Sequence, residues 1–287
     1  MSLINKLVLG TVQFGLNYGI NNQSGQVPQS EVVAILELAY RNGIKTLDTS
    51  SAYGNSESVL GSSLHEANLD FRIVSKYPQS DSSVEELFAD SLNRLLQKKL
   101  YGYLVHHFDF YLSHPHIWEE MQKLKSDRRI EKIGFSLYTT EQLRFLLDNQ
   151  VKFDILQFPY NLLDRQFEPY FKTLKENRVE IHTRSAFLQG LFFKDPDTLS
   201  GKLLPLKPYM QTLHEYCKSN TVSMESLALN YVASNPCIDG VLIGVDNHRQ
   251  LQANIDAIQS VITQQDIDFI SSLQVNETAL LNPVNWK

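Results

Sequence analysis

Ile44-Lys-Thr-Leu-Asp48-Thr-Ser-Ser-Ala-Tyr53-Gly54 runs from an apolar, β-branched segment straight into a polar turn, with an acid at the junction and a phenol five residues later. Two stretches further on repeat the pattern. Phe71-Arg-Ile-Val-Ser-Lys76 ends on a lysine, and Tyr103-Leu-Val-His106 ends on a histidine. An ionisable group at the end of an otherwise buried segment is costly unless it is paired, so the three ends read as one cluster. If the segments are parallel strands of one barrel, Asp48, Tyr53, Lys76 and His106 emerge at the same rim. That rim is the C-terminal face, where such barrels build active sites.

The rest of the chain supports the barrel. Short, near-continuous apolar runs recur at 6–10, 44–50, 71–76, 101–107, 130–136, 153–160, 179–185 and 240–245, the texture of strands covered on both faces. Longer stretches with helical spacing lie between them, at 29–42, 83–99, 116–129, 140–149, 166–177, 223–234 and 247–260, and a terminal one follows at 264–273. In the first of these Ser30 is the expected cap and Gly43 the expected stop. Strand–helix alternation predicts an α/β fold with a parallel sheet. Eight units in 287 residues fit a single (β/α)8 TIM barrel, which typically takes about 250 residues. A doubly wound sheet is the rival, but no Gly-x-Gly-x-x-Gly follows an early strand. With no linker or low-complexity stretch, residues 1–287 read as one barrel domain. The segment 190–209 reads as a long loop on the C-terminal face, suited to a lid or clamp over the site.

Composition excludes several function classes. The hydrophobic fraction of 43% suffices for a large core, and the net charge of −6 is dispersed rather than blocked. That gives no expectation of nucleic acid or an anionic membrane as partner. No apolar run approaches the ~18 residues of a membrane span, and the first residues lack a signal-peptide pattern. Cys217 and Cys237 match no metal or redox spacing. They read as structural thiols in a reducing compartment, so a cytoplasmic protein is expected, with no metal.

Taken singly, each rim residue has a plain structural reading: Asp48 a cap, Tyr53 a half-exposed aromatic, Lys76 a surface lysine, His106 a satisfied core histidine. Together they form a proton-transfer set. A lysine cation beside a phenol lowers its pKa from about 10, Asp48 holds the lysine, and His106 orients a substrate oxygen. Tyr53 then gives that oxygen a proton. No side chain supplies a hydride, so a nicotinamide cofactor, NAD or NADP, is implied.

At this point the chain resembles the aldo/keto reductase superfamily over nearly its whole length. The resemblance is carried by Leu9-Gly10-Thr11, Leu47-Asp48-Thr-Ser-Ser-Ala-Tyr53-Gly54 with Glu57, Ser75-Lys76, and Leu104-Val-His106. Gly134-Phe-Ser136, Leu156-Gln157-Phe158, and Gly244-Val245 leading to Leu251-Gln-Ala-Asn254 complete it. It implies a tetrad of Asp48, Tyr53, Lys76 and His106 with Tyr53 as proton donor. It also implies an extended nicotinamide cofactor across the barrel mouth, with Gly10, Thr11 and Asp48 among its neighbours. Ser136 and Gln157 would grip the carboxamide, and Gly244, Gln250 and Asn254 would face the adenosine side near a helix N-terminus.

The chain departs from the family pattern in three places. Arg184 stands where many relatives stack a tyrosine on the nicotinamide, which makes it a cofactor- or substrate-facing residue. Asp246 and Asn247 stand where NADP-preferring relatives often carry a cation. Asp246 there favours a ribose hydroxyl, while family habit and the nearby His248 and Arg249 favour NADP. Finally, the stretches around 9–22 and 184–190 resemble a bacterial branch associated with surface polysaccharide and sugar modification. This resemblance implies a sugar, nucleotide-sugar or sugar-acid substrate. Lys194, Lys202 and Lys207 would meet it if it is anionic, against the plainer reading of those lysines as ordinary solvated surface. His107 is expected to be a histidine that packs or supports its neighbours, with a place in the substrate pocket as the alternative. Trp286 would cap the pocket or cover outer helices.

The expected function is thus carbonyl–alcohol interconversion on a small-molecule substrate. One rival is a barrel that holds a nicotinamide for a regulatory role. Another is an aldolase or isomerase using Lys76 as an amine nucleophile, which Asp48 disfavours by keeping the lysine charged.

Overall fold

A computed structural model describes residues 2–22 and 24–286. Its strands are β1 Leu7–Gly10, β2 Thr46–Asp48, β3 Arg72–Tyr77, β4 Leu100–Val105, β5 Ile130–Ser136, β6 Ile155–Pro159, β7 Glu180–Arg184 and β8 Gly240–Gly244. They close in sequence order, all neighbours parallel and β8 paired back to β1. The helices are α1 Val12–Gly15, α2 Gln29–Arg41, α3 Ser56–Ala67, α4 Val84–Leu95, α5 Phe108–Ser113, α6 His116–Ser126, α7 Thr140–Asp148, α8 Phe171–Glu176, α9 Lys207–Asn220, α10 Met224–Ser234, α11 His248–Ala257 and α12 Gln264–Ser272. This is the expected (β/α)8 barrel.

The packing follows from the two periodicities. On α4, Val84, Phe88, Leu92 and Leu95 form the buried stripe. Ser83 and Glu86 close a capping box at its start, a cap worth about 1 kcal/mol. On the strands, side chains alternate between the outer core under the helices and the barrel interior. Val74, Leu104 and Ile155 form a separate inner cluster. Below it, Glu180 accepts hydrogen bonds from Tyr101 Oη at 2.7 Å and from Lys132, and pairs with His182 at 2.7 Å, forming a polar floor.

Two local expectations are corrected. Helix α2 begins at Gln29 with Pro28 in the capping position, so Ser30 lies inside the first turn and caps nothing. Gly43 does end the helix, with φ +80°. The segment 190–209 is not one open loop. It folds into 3-10 turns Leu188–Phe193, Pro196–Thr198 and Gly201–Leu206, and α9 begins at Lys207. Pro208 falls at the helix start, where a missing N–H leaves no bond unmade.

Candidate active site

Strand periodicity builds the site. Lys76, His106 and Gln157 each follow a member of the inner apolar cluster by two residues: Val74, Leu104 and Ile155. Period two therefore places all three in the barrel interior, one layer above that plug. Asp48 joins them from β2, in register with Gly10 of β1, which in turn pairs with Gly244 of β8.

The ion pair beneath the cleft is tightly satisfied. Lys76 Nζ donates to Asp48 Oδ1 at 2.5 Å and to the Thr49 carbonyl at 2.8 Å, and Gln157 Nε2 donates to Asp48 Oδ2 at 2.7 Å. Both charged side chains are almost wholly removed from water. A buried pair holds only when further hydrogen bonds support it, and here the Thr49 carbonyl and the Gln157 amide do so. Above it, the Tyr53 and His106 rings meet edge to face with centroids 5.8 Å apart, and Lys76 Nζ lies 5.2 Å from the Tyr53 ring centroid. Asp48, Tyr53 and His106 line the cleft; Lys76 lies under them rather than at the rim.

Burial governs the protonation states. It raises the Tyr53 phenol well above its ordinary value, the Asp48 charge adds to the rise, and Arg184 opposes it. The expected net lowering by a neighbouring cation is not what this geometry gives, because burial outweighs it. Burial lowers His106 to about 2, with the Lys76, His107 and Arg184 charges acting in the same direction. His106 is thus neutral. Its Nδ1 is 3.2 Å from Ser50 Oγ, which itself accepts from the Ala52 amide. The Ser50 proton is therefore free to point at Nδ1, leaving Nε2 as the N–H donor.

That depressed value has a consequence for stability. An unfolded histidine takes a proton below about 6.5, while the folded one resists it down to about 2. Between those values the unfolded state binds more protons, so stability falls as pH falls. Urea midpoints from pH 8 to 4 should show this decline, and His106→Gln should make it shallower. An unchanged slope would mean that His106 protonates freely in the folded protein.

The cleft has a volume of about 910 Å³ and runs along the strand ends. Gly10, Thr11, Ser136, Gln157, Arg184, Gly244, Asp246, Gln250 and Asn254 all line it. Thr11 also braces the frame, donating through Oγ1 to the Asp48 carbonyl at 3.1 Å. Arg184 lies 4.1 Å over the Tyr138 ring and donates through Nη2 to the Leu137 carbonyl, while its buried Nε has no hydrogen-bond partner among the described residues. Burial raises the Asp246 carboxyl and the Gln250 amide opposes that.

Sequence reasoning missed Tyr138, Tyr18, Gln13 and Gln189, which also line the cleft. Tyr138 was detectable two residues past Ser136, at a strand end. The others depend on a loop crossing: Gln189 Nε2 donates to Tyr18 Oη at 2.6 Å, and Asn21 Nδ2 to the Gly190 carbonyl at 2.6 Å. These bonds tie the loop after β1 to the turn after β7.

Three groups whose reading was open in the sequence are located here. His107 is exposed, not packed inside, with its ring 4.8 Å from His106. Lys194, Lys202 and Lys207 are not among the cleft residues, and Lys207 pairs with Asp197 at 2.9 Å. The tail reaches the cleft through Asn282, Pro283 and Val284, whereas Trp286 donates to the Leu280 carbonyl outside it.

The cleft fits a dinucleotide. Gln13 is over nine-tenths buried, lines the cleft, and has an Oε1 with no partner among the described residues. A Cβ on Gly244 would come within 2.6 Å of Gln13 Nε2, so glycine at this position lets the Gln13 amide lie directly against the β8 backbone in the cleft. A barrel with an acid, a phenol, a lysine and a histidine at one end of such a cleft defines a class of cofactor-dependent oxidoreductases.

The chain belongs to the Aldo/keto reductase family, whose profile matches residues 6–275. It is an NAD(P)H-dependent oxidoreductase of the carbonyl–alcohol type. Similar proteins include L-galactose dehydrogenase of Arabidopsis thaliana, 24% identical over 97% of this chain and 92% of that one, and glyoxal reductase of Bacillus subtilis, 23% identical over 88% and 87%. Among solved structures, the holo form of an aldo-keto reductase from Bacillus halodurans matches with TM-score 0.74 at 20% identity, covering 95% of this chain and 94% of that one. A putative aldo-keto reductase from Pseudomonas aeruginosa matches with TM-score 0.66 at 23% identity, covering 91% and 90%. Among the described residues no helix is long and apolar enough to cross a membrane.

Proposed function

We propose that the chain interconverts a carbonyl and an alcohol on a hydroxylated, sugar-like substrate, with Tyr53 as the general acid and base. The observation that carries the reading is the Tyr53–His106 pair facing the cleft directly above the Lys76–Asp48 ion pair. In the reducing direction the carbonyl oxygen accepts from the Tyr53 hydroxyl and from His106 Nε2. As negative charge develops on that oxygen, Tyr53 passes it a proton, and Lys76 and Arg184 stabilise the phenolate left behind. A bound nicotinamide supplies the hydride at the carbonyl carbon, or takes it in reverse. Ser136 and Gln157, which line the cleft beside the tetrad, would hold its carboxamide. Burial keeps Tyr53 protonated at neutral pH, as a donor must be. An amine-nucleophile role for Lys76 is disfavoured, since its Nζ is bound on two sides and it is not among the cleft residues.

The sugar-like substrate is supported by the rim. Asn17, Asn21, Gln189 and Asn282 present amides, and Tyr18 and Tyr138 present phenols, around the same opening. Groups that both donate and accept suit a ligand with many hydroxyls. A site built from them also rejects a ligand that leaves them unpaired. A carbonyl panel should therefore give higher kcat/KM for aldoses or sugar lactols than for apolar aldehydes of similar size. Equal or better turnover of the apolar set would remove the sugar from the reading.

A further inference from the structure

We infer that the cleft selects a dinucleotide whose adenosine ribose carries free hydroxyls, NAD(H) over NADP(H), with Asp246 as the discriminating residue. This rests on the dinucleotide reading above. The nicotinamide must lie against Tyr53 and His106, where the proton is given. An extended dinucleotide then runs along the cleft to its other end, at Asp246, Gln250 and Asn254 after β8.

The cleft carries acid without cation on that side. Asp246 stands there, Glu225 is a second acid in the same lining, and among the described residues Arg184 is the one lysine or arginine in the cleft lining. Arg184 is held at the tetrad end by the Leu137 carbonyl and Tyr138. The two nearby cationic candidates are not in the cleft. The Glu31 carboxylate accepts from both the backbone amide and Nδ1 of His248, at 2.6 and 2.7 Å, and Arg249 is exposed outside the lining. Asp246 itself is half-buried and oriented by Asn22 Nδ2 at 3.2 Å and Gln250 Nε2 at 3.4 Å. Two amides leave a carboxylate with accepting capacity to spare, which a ribose hydroxyl fills. A 2′-phosphate there would meet like charge, with no lysine or arginine among the described lining residues at that end to offset it.

Calorimetric titration of the whole protein with NADH and with NADPH tests this by binding alone. The expected result is that NADH binds tighter by about tenfold or more, as like-charge juxtaposition demands. The gap should narrow as ionic strength rises towards 1 M, where screening shortens to about 3 Å. Asp246→Arg should invert the order, and Glu225→Gln should narrow it. Equal or tighter NADPH binding by the wild-type protein overturns the inference and leaves the dinucleotide reading standing. Binding of neither nucleotide overturns both. The wild-type ratio decides the matter even if Asp246→Arg does not fold.

Discussion

Replacing Tyr53 with phenylalanine should reduce kcat by about 10²- to 10⁴-fold, the usual contribution of a positioned general acid, with nicotinamide binding unchanged. The substitution keeps the ring, so the edge contact to His106 at 5.8 Å and the Lys76 position at 5.2 Å persist. It removes only the proton. His106 cannot take over as acid, because burial holds it neutral with a value of about 2. Its remaining N–H orients the oxygen without protonating it. Steady-state rates paired with nucleotide titration separate the two effects. Near wild-type kcat in Tyr53→Phe would take the donor role from this residue. The raised phenol adds a second signature with a definite sign. A phenol pushed above its ordinary value of about 10 stays protonated through neutrality, so reductive kcat should hold across pH 6–9 rather than fall through it.

What could be read from the sequence divides along physical lines. The barrel was legible because its strands are buried on both faces and so read as apolar runs, and its chemistry was legible because polar groups interrupt those runs only at their ends. Asp48, Lys76 and His106 are there because strand period and strand termination put them there. Helix α3 was not legible for the opposite reason. Its face towards α4 is made of small residues, and a Cβ on Gly61 would meet the Arg94 carbonyl oxygen at 2.3 Å, so close helix contact replaces the apolar stripe that periodicity looks for. Helix α9 was hidden behind Pro205 and Pro208, which punctuate a loop and a helix start alike. The sign of the Tyr53 shift was missed because it is set first by burial of the phenol, which depends on what packs around it in three dimensions. Tyr18 and Gln189 are 171 positions apart in the chain, and nothing local announces that their loops meet.

Lys76→Met should lower the unfolding free energy by about 3–5 kcal/mol, because it strands the Asp48 carboxylate in a site nearly free of water. Asp48→Asn should also destabilise, leaving the ammonium with the Thr49 carbonyl and a neutral amide. The informative measurement is the double variant. With both charges gone, the uncharged thioether side chain introduced in place of the lysine can pack against the inner cluster of Val74, Leu104 and Ile155, and Gln157 Nε2 still finds an amide oxygen at position 48. Urea denaturation should therefore place the double variant well above the sum of the single losses, with a coupling in the range of about 0.5–3 kcal/mol found for contacting residues. Additive losses would mean that the two charges are solvated independently and that Lys76 does not depend on Asp48. Activity should follow a different course. The double variant recovers stability but not turnover, since nothing then lies under Tyr53 to hold the phenolate. A stable, nucleotide-binding and inactive protein would separate what the ion pair contributes to the fold from what it contributes to proton transfer.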